Sequence, residues 1–429
     1  MADNAGLYRA LKNNEQVQPI FIFDTNILSK LSDEKDARVS FIYDELQKLN
    51  TEYEDSGGNL WQFHGKPKEI FTELIKKHKI SKVITNRDYE SYGIKRDATV
   101  SKLLNKEGID FESYKDQVIF DKDEVVKKDG TPYLVFTPYK RKWLEKLDSR
   151  TMNKKSFYLS SYPTENYSHN LAQTKKHRHG VTLKKMGFSH NEKIDIPAKS
   201  VPQKLIKNYD EQRNYPAVKG TSRLGMHLRF GTISIREKAR KARTLSDTFL
   251  SELVWRDFYS MILEHFPHVE ESSFRPKYDK INWRNNEKEF KAWCEGKTGY
   301  PMVDAGMREL NESGYMHNRV RMVVASFLTK HLMIDWRWGE AYFAEKLLDF
   351  DLASNNGGWQ WAAGCGTDAA PYFRIFNPTS QQKKFDKEFI YIKKWIAEWG
   401  TDEYPEPIVE HKLARERCLR MYKEALDQA

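Results

Sequence analysis

Cysteine is the scarcest chemistry in this chain: 429 residues carry only Cys294, Cys365 and Cys418. Three thiols, odd in number and widely spaced, supply neither a disulfide framework nor the close-set ligand pairs of a structural zinc site. They suit a reducing cytoplasm, and no metal site is expected. No run of about 18 apolar residues occurs, so no membrane-spanning helix is expected. Residues 1–6 have neither the basic stretch nor the apolar stretch of a secretory signal. No repeat of fixed period is present, which sets a solenoid aside.

What is there begins with 39% apolar residues, enough for a large core and, by length, roughly two or three domains. Lysine and arginine number 71 against 61 acidic residues, a net charge of +10. That charge favours polyanions, but it equally describes a merely soluble basic protein. Tryptophan says more. Nine of the 11 lie from Trp255 onward. Indoles in such number need partners for their N–H groups or work for their π systems.

The two halves differ in pattern. Residues 19–24, 60–63 and 82–85 read as short buried strands, separated by helical segments at 36–49 and 67–78. Such alternation predicts a parallel sheet with helices on both faces, here spanning 1–147. A helical segment at 4–11 precedes the first strand, although doubly wound domains usually open on a strand. Residues 148–208 are polar and irregular, with the basic run 175–179, and read as a surface connector. From Tyr209 to the end, apolar residues recur at three- and four-residue spacing and predict a helical domain over 209–429. Helices are expected at 244–265, 287–294, 301–312, 318–333 and 339–348.

Three stretches of the helical half carry candidate chemistry. Gly220-Thr221-Ser222-Arg223-Leu224 places hydroxyls and backbone N–H groups before a helix, as a phosphate cradle would, although an ordinary helix cap reads the same way. In Tyr315-Met316-His317-Asn318-Arg319-Val320-Arg321-Met322, Asn318 and Arg321 share a helix face, which suits an anion or a polar ring. The run Asp349-Phe350-Asp351-Leu352-Ala353-Ser354-Asn355-Asn356-Gly357-Gly358-Trp359-Gln360-Trp361, continuing to Pro378, is the most distinctive. Its tandem glycines permit close approach to a flat ligand, and its two tryptophans point different ways.

Together with Glu252-Leu253-Val254-Trp255-Arg256-Asp257-Phe258-Tyr259 and Gly296-Lys297-Thr298-Gly299-Tyr300-Pro301, these stretches resemble the photolyase/cryptochrome family. Within it the chain is most similar to the class I photolyases of cyclobutane pyrimidine dimers, densely over 209–411 and more loosely over 3–147. The resemblance implies a helical FAD-binding domain and light-driven repair of a dimer flipped out of DNA. It implies that Tyr209, Thr221, Ser222, Arg223 and Leu224 hold the phosphates and ribose. Arg321 and Asp349 would lie beside the flavin ring with Asp351, and Asn355 would face its N5. Trp255 and Trp361 would sandwich the dimer, with Met322 against it and Glu252, Asn318 and Arg319 on its polar edge. Arg213, Arg256 and Arg374 are candidate phosphate contacts, though each alone reads equally as half of a surface ion pair. Trp359, Trp336 and Trp283 match the family's electron relay from flavin to surface. The implied partner is UV-damaged DNA, met by a cytoplasmic monomer without membrane or obligate protein partner.

The chain also departs from the family. The Trp-Phe-Arg-Arg-Asp-Leu-Arg signature of a first strand is absent, and the neighbours of a missing central strand are expected to show exposed edges. Residues 85–93 lack the Asn-Glu pair of folate binding, which leaves a second antenna chromophore open between a deazaflavin and none. Phe249 replaces a tryptophan often seen near the flavin. Two rivals lie within the family. A cryptochrome-type receptor, binding FAD without repair, is opposed by Glu252, Trp255, Asn318, Met322 and Trp361 and by the lack of a long C-terminal tail. Six–four photoproduct enzymes carry a histidine-rich segment where this chain has Met316-His317-Asn318-Arg319.

Overall fold

In the computed structural model, which describes residues 2–152, 155–173 and 181–428, the chain forms two compact units from interleaved segments. The first comprises Met1–Asp121, Leu147–Ile196 and Phe230–Arg240; the second comprises Lys122–Lys146, Pro197–Arg229 and Lys241–Ala429. The basic run 175–179 lies outside the described residues.

The first unit is α/β. Helix α1 (Ala5–Asn13) is capped by Asn4, whose side chain accepts from the Leu7 N–H at 2.9 Å. Strands β1 (Ile20–Asp24) and β2 (Trp61–Gly65) pair in parallel, Ile20 opposite Trp61. Strands β3 (Lys82–Asn86) and β4 (Asp110–Tyr114) do the same, Lys82 opposite Asp110. Helices α2 (Ala37–Asp55), α3 (Pro67–Lys77) and α4 (Ser91–Lys106) alternate with them. Pro67 suits the first turn of α3, where its fixed φ is helical and its missing N–H has no partner to lose.

The expected single sheet is instead two parallel pairs; among the described residues no ladder joins them. Ile20, Phe21 and Ile22 and all of β3 are only half-buried, although parallel strands are normally covered on both faces. Helix α1 lies on β3, the Gly6 N–H donating to Asn86 Oδ1 at 2.8 Å. A Cβ at Gly6 would fall 2.8 Å from that oxygen and 3.2 Å from the Thr85 carbonyl carbon, so the contact requires glycine.

Residues 148–208, read as a surface connector, contribute to this unit's core. Leu171, Met186 and Phe188 are buried among Leu11, Phe23, Val39 and Leu60. Their apolar residues are spaced too irregularly to register as a helix or strand period.

The second unit is helical. Helix α5 (Phe136–Ser149) places Trp143 at 0% exposure, its indole N–H donated to Asp257 Oδ2 at 2.9 Å. That contact shows why residues 122–146, read as the end of the α/β domain, pack here. The remaining long helices are α6 (Asp247–His265), α7 (Glu287–Cys294), α8 (Pro301–Ser313), α9 (Asn318–Ser326), α10 (Trp336–Lys346), α11 (Leu352–Ala363), α12 (Pro378–Phe385) and α13 (His411–Asp427). They bury one contiguous core that includes Met302, Val320, Val324, Leu328, Phe343 and Trp359. The Gly-Lys-Thr-Gly motif proves architectural: Thr298 N and Oγ1, Gly299 N and Tyr404 Oη all donate to the buried Asp304 carboxylate at the start of α8.

The helix expected over 318–333 changes its winding at residue 327, where a π turn (Phe327–His331) follows α9. The turn directs Lys330 inward. Its ammonium is 1% exposed, donates to Ala363 O at 2.8 Å and Tyr372 O at 3.3 Å, and lies 3.9 Å from the Tyr422 ring centre. It thus caps the C-terminal end of α11, where positive charge is favoured. Burial pushes its pKa down to about 8, from about 10.5 in an unfolded chain. Between those values the unfolded chain binds a proton the folded protein does not, so this group's effect is for stability to rise with pH. Measured against Lys330→Met, which lacks the titration, the wild type is expected to gain about 2–3 kcal/mol between pH 8 and 10.5 in denaturant unfolding. A parallel pH dependence in both proteins would refute this.

Candidate functional site

Helix α9 begins at Asn318 because His317 caps it, its Nδ1 accepting from the Arg319 N–H at 3.2 Å. The proton therefore sits on Nε2, which is buried without a partner. Burial, reinforced by Arg321 and Arg319, pushes the imidazole down to about 4, so it is neutral at physiological pH. One turn into the helix, Arg321 donates Nε to Met316 O at 2.7 Å and Nη2 to both Asp349 oxygens at 3.0 Å. Burial opposes its charge, but Asp349 and Tyr315 outweigh that and hold the pKa above the ordinary value.

The Gly220–Leu224 stretch meets this pair. Arg223 adopts a left-handed φ of +51° and lays its guanidinium 4.4 Å over the Tyr315 ring, which Arg321 approaches at 5.6 Å. Arg223 Nε is buried and unpartnered. Thr221 Oγ1 and Tyr315 Oη are 3.2 Å apart. A Cβ at Gly225 would fall 2.9 Å from Asp349 Oδ2, so the close approach requires glycine. The structure thus gathers Thr221, Arg223, Arg321 and Asp349 into one cationic cluster around Tyr315. Ser222 accepts from the Leu224 N–H at 3.5 Å, and Leu224 is buried. Tyr209 is edge-on to Phe249 at 5.1 Å, with Arg213 5.9 Å from its ring.

Helix α11 is capped by Asp351, which accepts from the Ser354 N–H at 3.0 Å. Burial pushes this carboxyl up, yet Arg256, Arg229 and the Ser354 bonds together hold it below the ordinary range. One turn on, the Asn355 amide gives its N–H groups to Glu340 O at 3.1 Å and Glu340 Oε1 at 2.8 Å. The end left to face outward is Oδ1, an acceptor. Glu340, on α10, is raised by burial and lowered in part by the bond from Asn355.

The tandem glycines do something other than expected. A Cβ at Gly357 would fall 2.3 Å from the Tyr259 ring, so this glycine admits a side chain of α6; Gly358 has nothing within 4 Å. The tryptophans diverge as their spacing requires. Trp359 is 2% exposed, with its ring against Gly339, 6.0 Å from Trp293 and 5.0 Å from Phe343. Trp361 is half-buried, 6.4 Å from Phe376. Trp336 sits one turn before Gly339 on α10, fully buried with Nε1 unpartnered and Arg337 4.8 Å over its ring. Trp283 is half-buried, 6.0 Å from Tyr422.

Helix α6 supplies Glu252 and Trp255. Two of the three arginines assigned to phosphate have acidic neighbours within the fold. Arg213 forms an ion pair with Glu252, each about one-third exposed, and Arg256 lends its charge to Asp351. Arg374 is exposed, 5.6 Å from the Phe376 ring. Burial raises Glu252 above the ordinary range, partly countered by Arg213 and Lys140. Arg319 donates to Asn214 Oδ1 at 2.7 Å and lies 4.5 Å over Phe385. Asn318 is exposed and Met322 half-buried on the same helix. Residues that sequence reasoning missed are Tyr315 at the centre of the cluster, Glu340 behind Asn355, and Phe136, whose ring stacks on Trp255 at 3.7 Å and 6°. Only Tyr315 carried a signal, its adjacency to Met316; the others come from distant elements.

Comparison with known proteins gives the family. Residues 249–401 match the family described as the FAD binding domain of DNA photolyase, and residues 1–156 match DNA photolyase. A deoxyribodipyrimidine photo-lyase of Synechococcus sp. is 35% identical over 99% of this chain and 94% of its own length. A class III photolyase of Agrobacterium tumefaciens superposes with a TM-score of 0.84 at 31% identity, covering 99% of this chain and 95% of that one. An archaeal photolyase of Sulfolobus tokodaii, whose structure holds two FAD molecules, superposes at 0.80 with 33% identity, covering 99% and 97%. The motifs alone pointed to class I, whereas one of these relatives is a class III photolyase; together they establish the family. With both halves matched and relatives aligned over nearly their full length, the chain belongs to the DNA photolyase family.

Proposed function

We propose that this protein is a deoxyribodipyrimidine photo-lyase that uses light and FAD to split cyclobutane pyrimidine dimers in DNA. The observation that carries this reading is the Arg321–Asp349 pair packed with Arg223 and Thr221 around Tyr315. Two unpartnered donors, Arg223 Nε and His317 Nε2, fit the diphosphate or ring oxygens of FAD. Bound here in its reduced state, FAD would supply light-driven electron donation to the dimer, with the electron returned once the cyclobutane ring has opened.

The chain's own groups bind, orient and tune. Arg321 would offer a half-buried positive charge to the anionic reduced flavin. Asn355, its N–H groups committed to Glu340, would hold the flavin ring through Oδ1 and adds no negative charge. Asp351 holds the start of α11. Tyr209, Ser222 and Leu224 complete the phosphate and ribose side. Trp255 and Trp361 offer stacking faces to the dimer, with Met322, Asn318, Arg319 and Glu252 at its margins and Arg374 toward phosphate. Arg213 holds Glu252 in place rather than reaching DNA. Trp359, Trp336 and Trp283 run from the core to a half-exposed indole and serve as the relay that recharges the cofactor. The domain reading is an α/β antenna-type unit before a helical catalytic one, and a second chromophore in it stays open. The protein acts as a cytoplasmic monomer; its three cysteines are free thiols, which suits a reducing compartment.

The test is to illuminate the purified, reduced protein with an oligonucleotide bearing one cyclobutane thymine dimer. Flavin absorbance and light-dependent loss of the dimer are expected. Bound, photoreducible flavin with the dimer untouched would replace this reading with a receptor.

A further inference from the structure

Trp255 has two ring faces, and one is already taken. Phe136, the first residue of α5, lies parallel to it at 6° with ring centres 3.7 Å apart. Phe258 at 5.6 Å and Tyr259 at 5.3 Å flank the same indole. Phe136 is 8% exposed, so it is a backing plate and not itself a platform for a base.

The backbone of Phe136 is also held. Its N–H donates to Asp368 Oδ2 at 3.2 Å, and the neighbouring Leu134 O accepts from Thr367 Oγ1 at 2.7 Å. Asp368 and Thr367 belong to the loop that leaves α11 just after Trp361. One short segment therefore touches the wall carrying Trp255 through its ring and the loop behind Trp361 through its backbone.

We propose that Phe136 is a positioning residue for dimer binding: it fixes the plane of Trp255, leaves that indole a single open face, and ties its setting to the loop behind Trp361. The inference rests on the reading that Trp255 stacks on the dimer. A stacked aromatic pair is worth about 0.5–1.5 kcal/mol beyond its buried area, which sets the expected effect at about two- to twelvefold in affinity.

The experiment measures, in the dark, the dissociation constant of the FAD-loaded protein for dimer-containing and undamaged oligonucleotides, and under light the repair rate at saturating substrate. Phe136→Leu is expected to weaken dimer binding about two- to twelvefold. Undamaged-DNA binding, flavin absorbance and saturating repair should be unchanged, and Phe136→Tyr should restore affinity. In a Trp255→Ala background, Phe136→Leu should add nothing, because the ring acts only through the indole. Equal weakening in both backgrounds, unchanged binding, or tighter binding (the ring then occupying the base's own place) would overturn the proposal. If Trp255→Ala itself leaves dimer binding intact, the underlying reading fails first, and this one with it. Should Phe136→Leu not fold, Asp368→Ala, which frees the backbone without altering the ring, is expected to weaken binding about threefold in the same Trp255-dependent way. No such dependence would refute the proposal.

Discussion

Arg321→Met is expected to purify with little or no flavin. Two effects act together. The substitution removes one of the two cations over Tyr315 and strands Asp349, which now accepts from Arg321 at 3.0 Å with both oxygens. A stranded carboxylate is costly in itself and repels an anionic ligand. The ion pair is not sealed, with Arg321 25% and Asp349 18% exposed, so the cost sits at the low end for breaking a buried pair, about 3 kcal/mol. That corresponds to about a hundredfold in flavin affinity. Asp349→Asn should do less, because it leaves the guanidinium free to meet the ligand's own charge. The ratio of flavin to protein absorbance, followed by titration with free FAD, reads both. Wild-type flavin content in Arg321→Met would remove this cluster from the cofactor site.

The second large effect separates two tryptophans two residues apart. Trp361→Ala is expected to weaken dimer binding by about 1–3 kcal/mol, the usual worth of base–aromatic stacking, or roughly 5- to 150-fold. Flavin content should be untouched, since Trp361 is half-buried and makes one distant ring contact, with Phe376. Trp359→Phe should do the opposite. Its ring is in the core against Gly339, Trp293 and Phe343, so repair by chemically reduced protein should persist while photoreduction of oxidised flavin is largely lost. Dimer affinity and photoreduction yield, measured on both variants, form a crossed pattern. Loss of both activities in both variants would mean that α11 is disturbed as a unit and the assignments are wrong.

Much of the fold was legible because periodicity reports burial. The strands at 19–24, 60–63 and 82–85 and the helices at 67–78, 287–294 and 301–312 were found within a residue or two. The irregular segment 148–208 was misread because Leu171, Met186 and Phe188 reach the core without regular spacing. Residues 122–146 were placed with the wrong neighbours because Trp143 and its partner Asp257 are 114 positions apart.

The site divides in the same way. Residue types and their spacing along one helix determined that Asn318 and Arg321 share a face of α9, and that Trp359 and Trp361 diverge on α11. An α-helix turns 100° per residue whatever surrounds it. Only the tertiary structure decided which charges meet. It gave Arg321 to Asp349, but it also gave Arg213 to Glu252 and directed Arg256 toward Asp351, leaving Arg374 as the exposed candidate for phosphate. An arginine reads the same in sequence whether its partner is a carboxylate of its own fold or a phosphate. The choice is made by packing between elements far apart in the chain, as when Tyr259 on Gly357 brings α6 against α11.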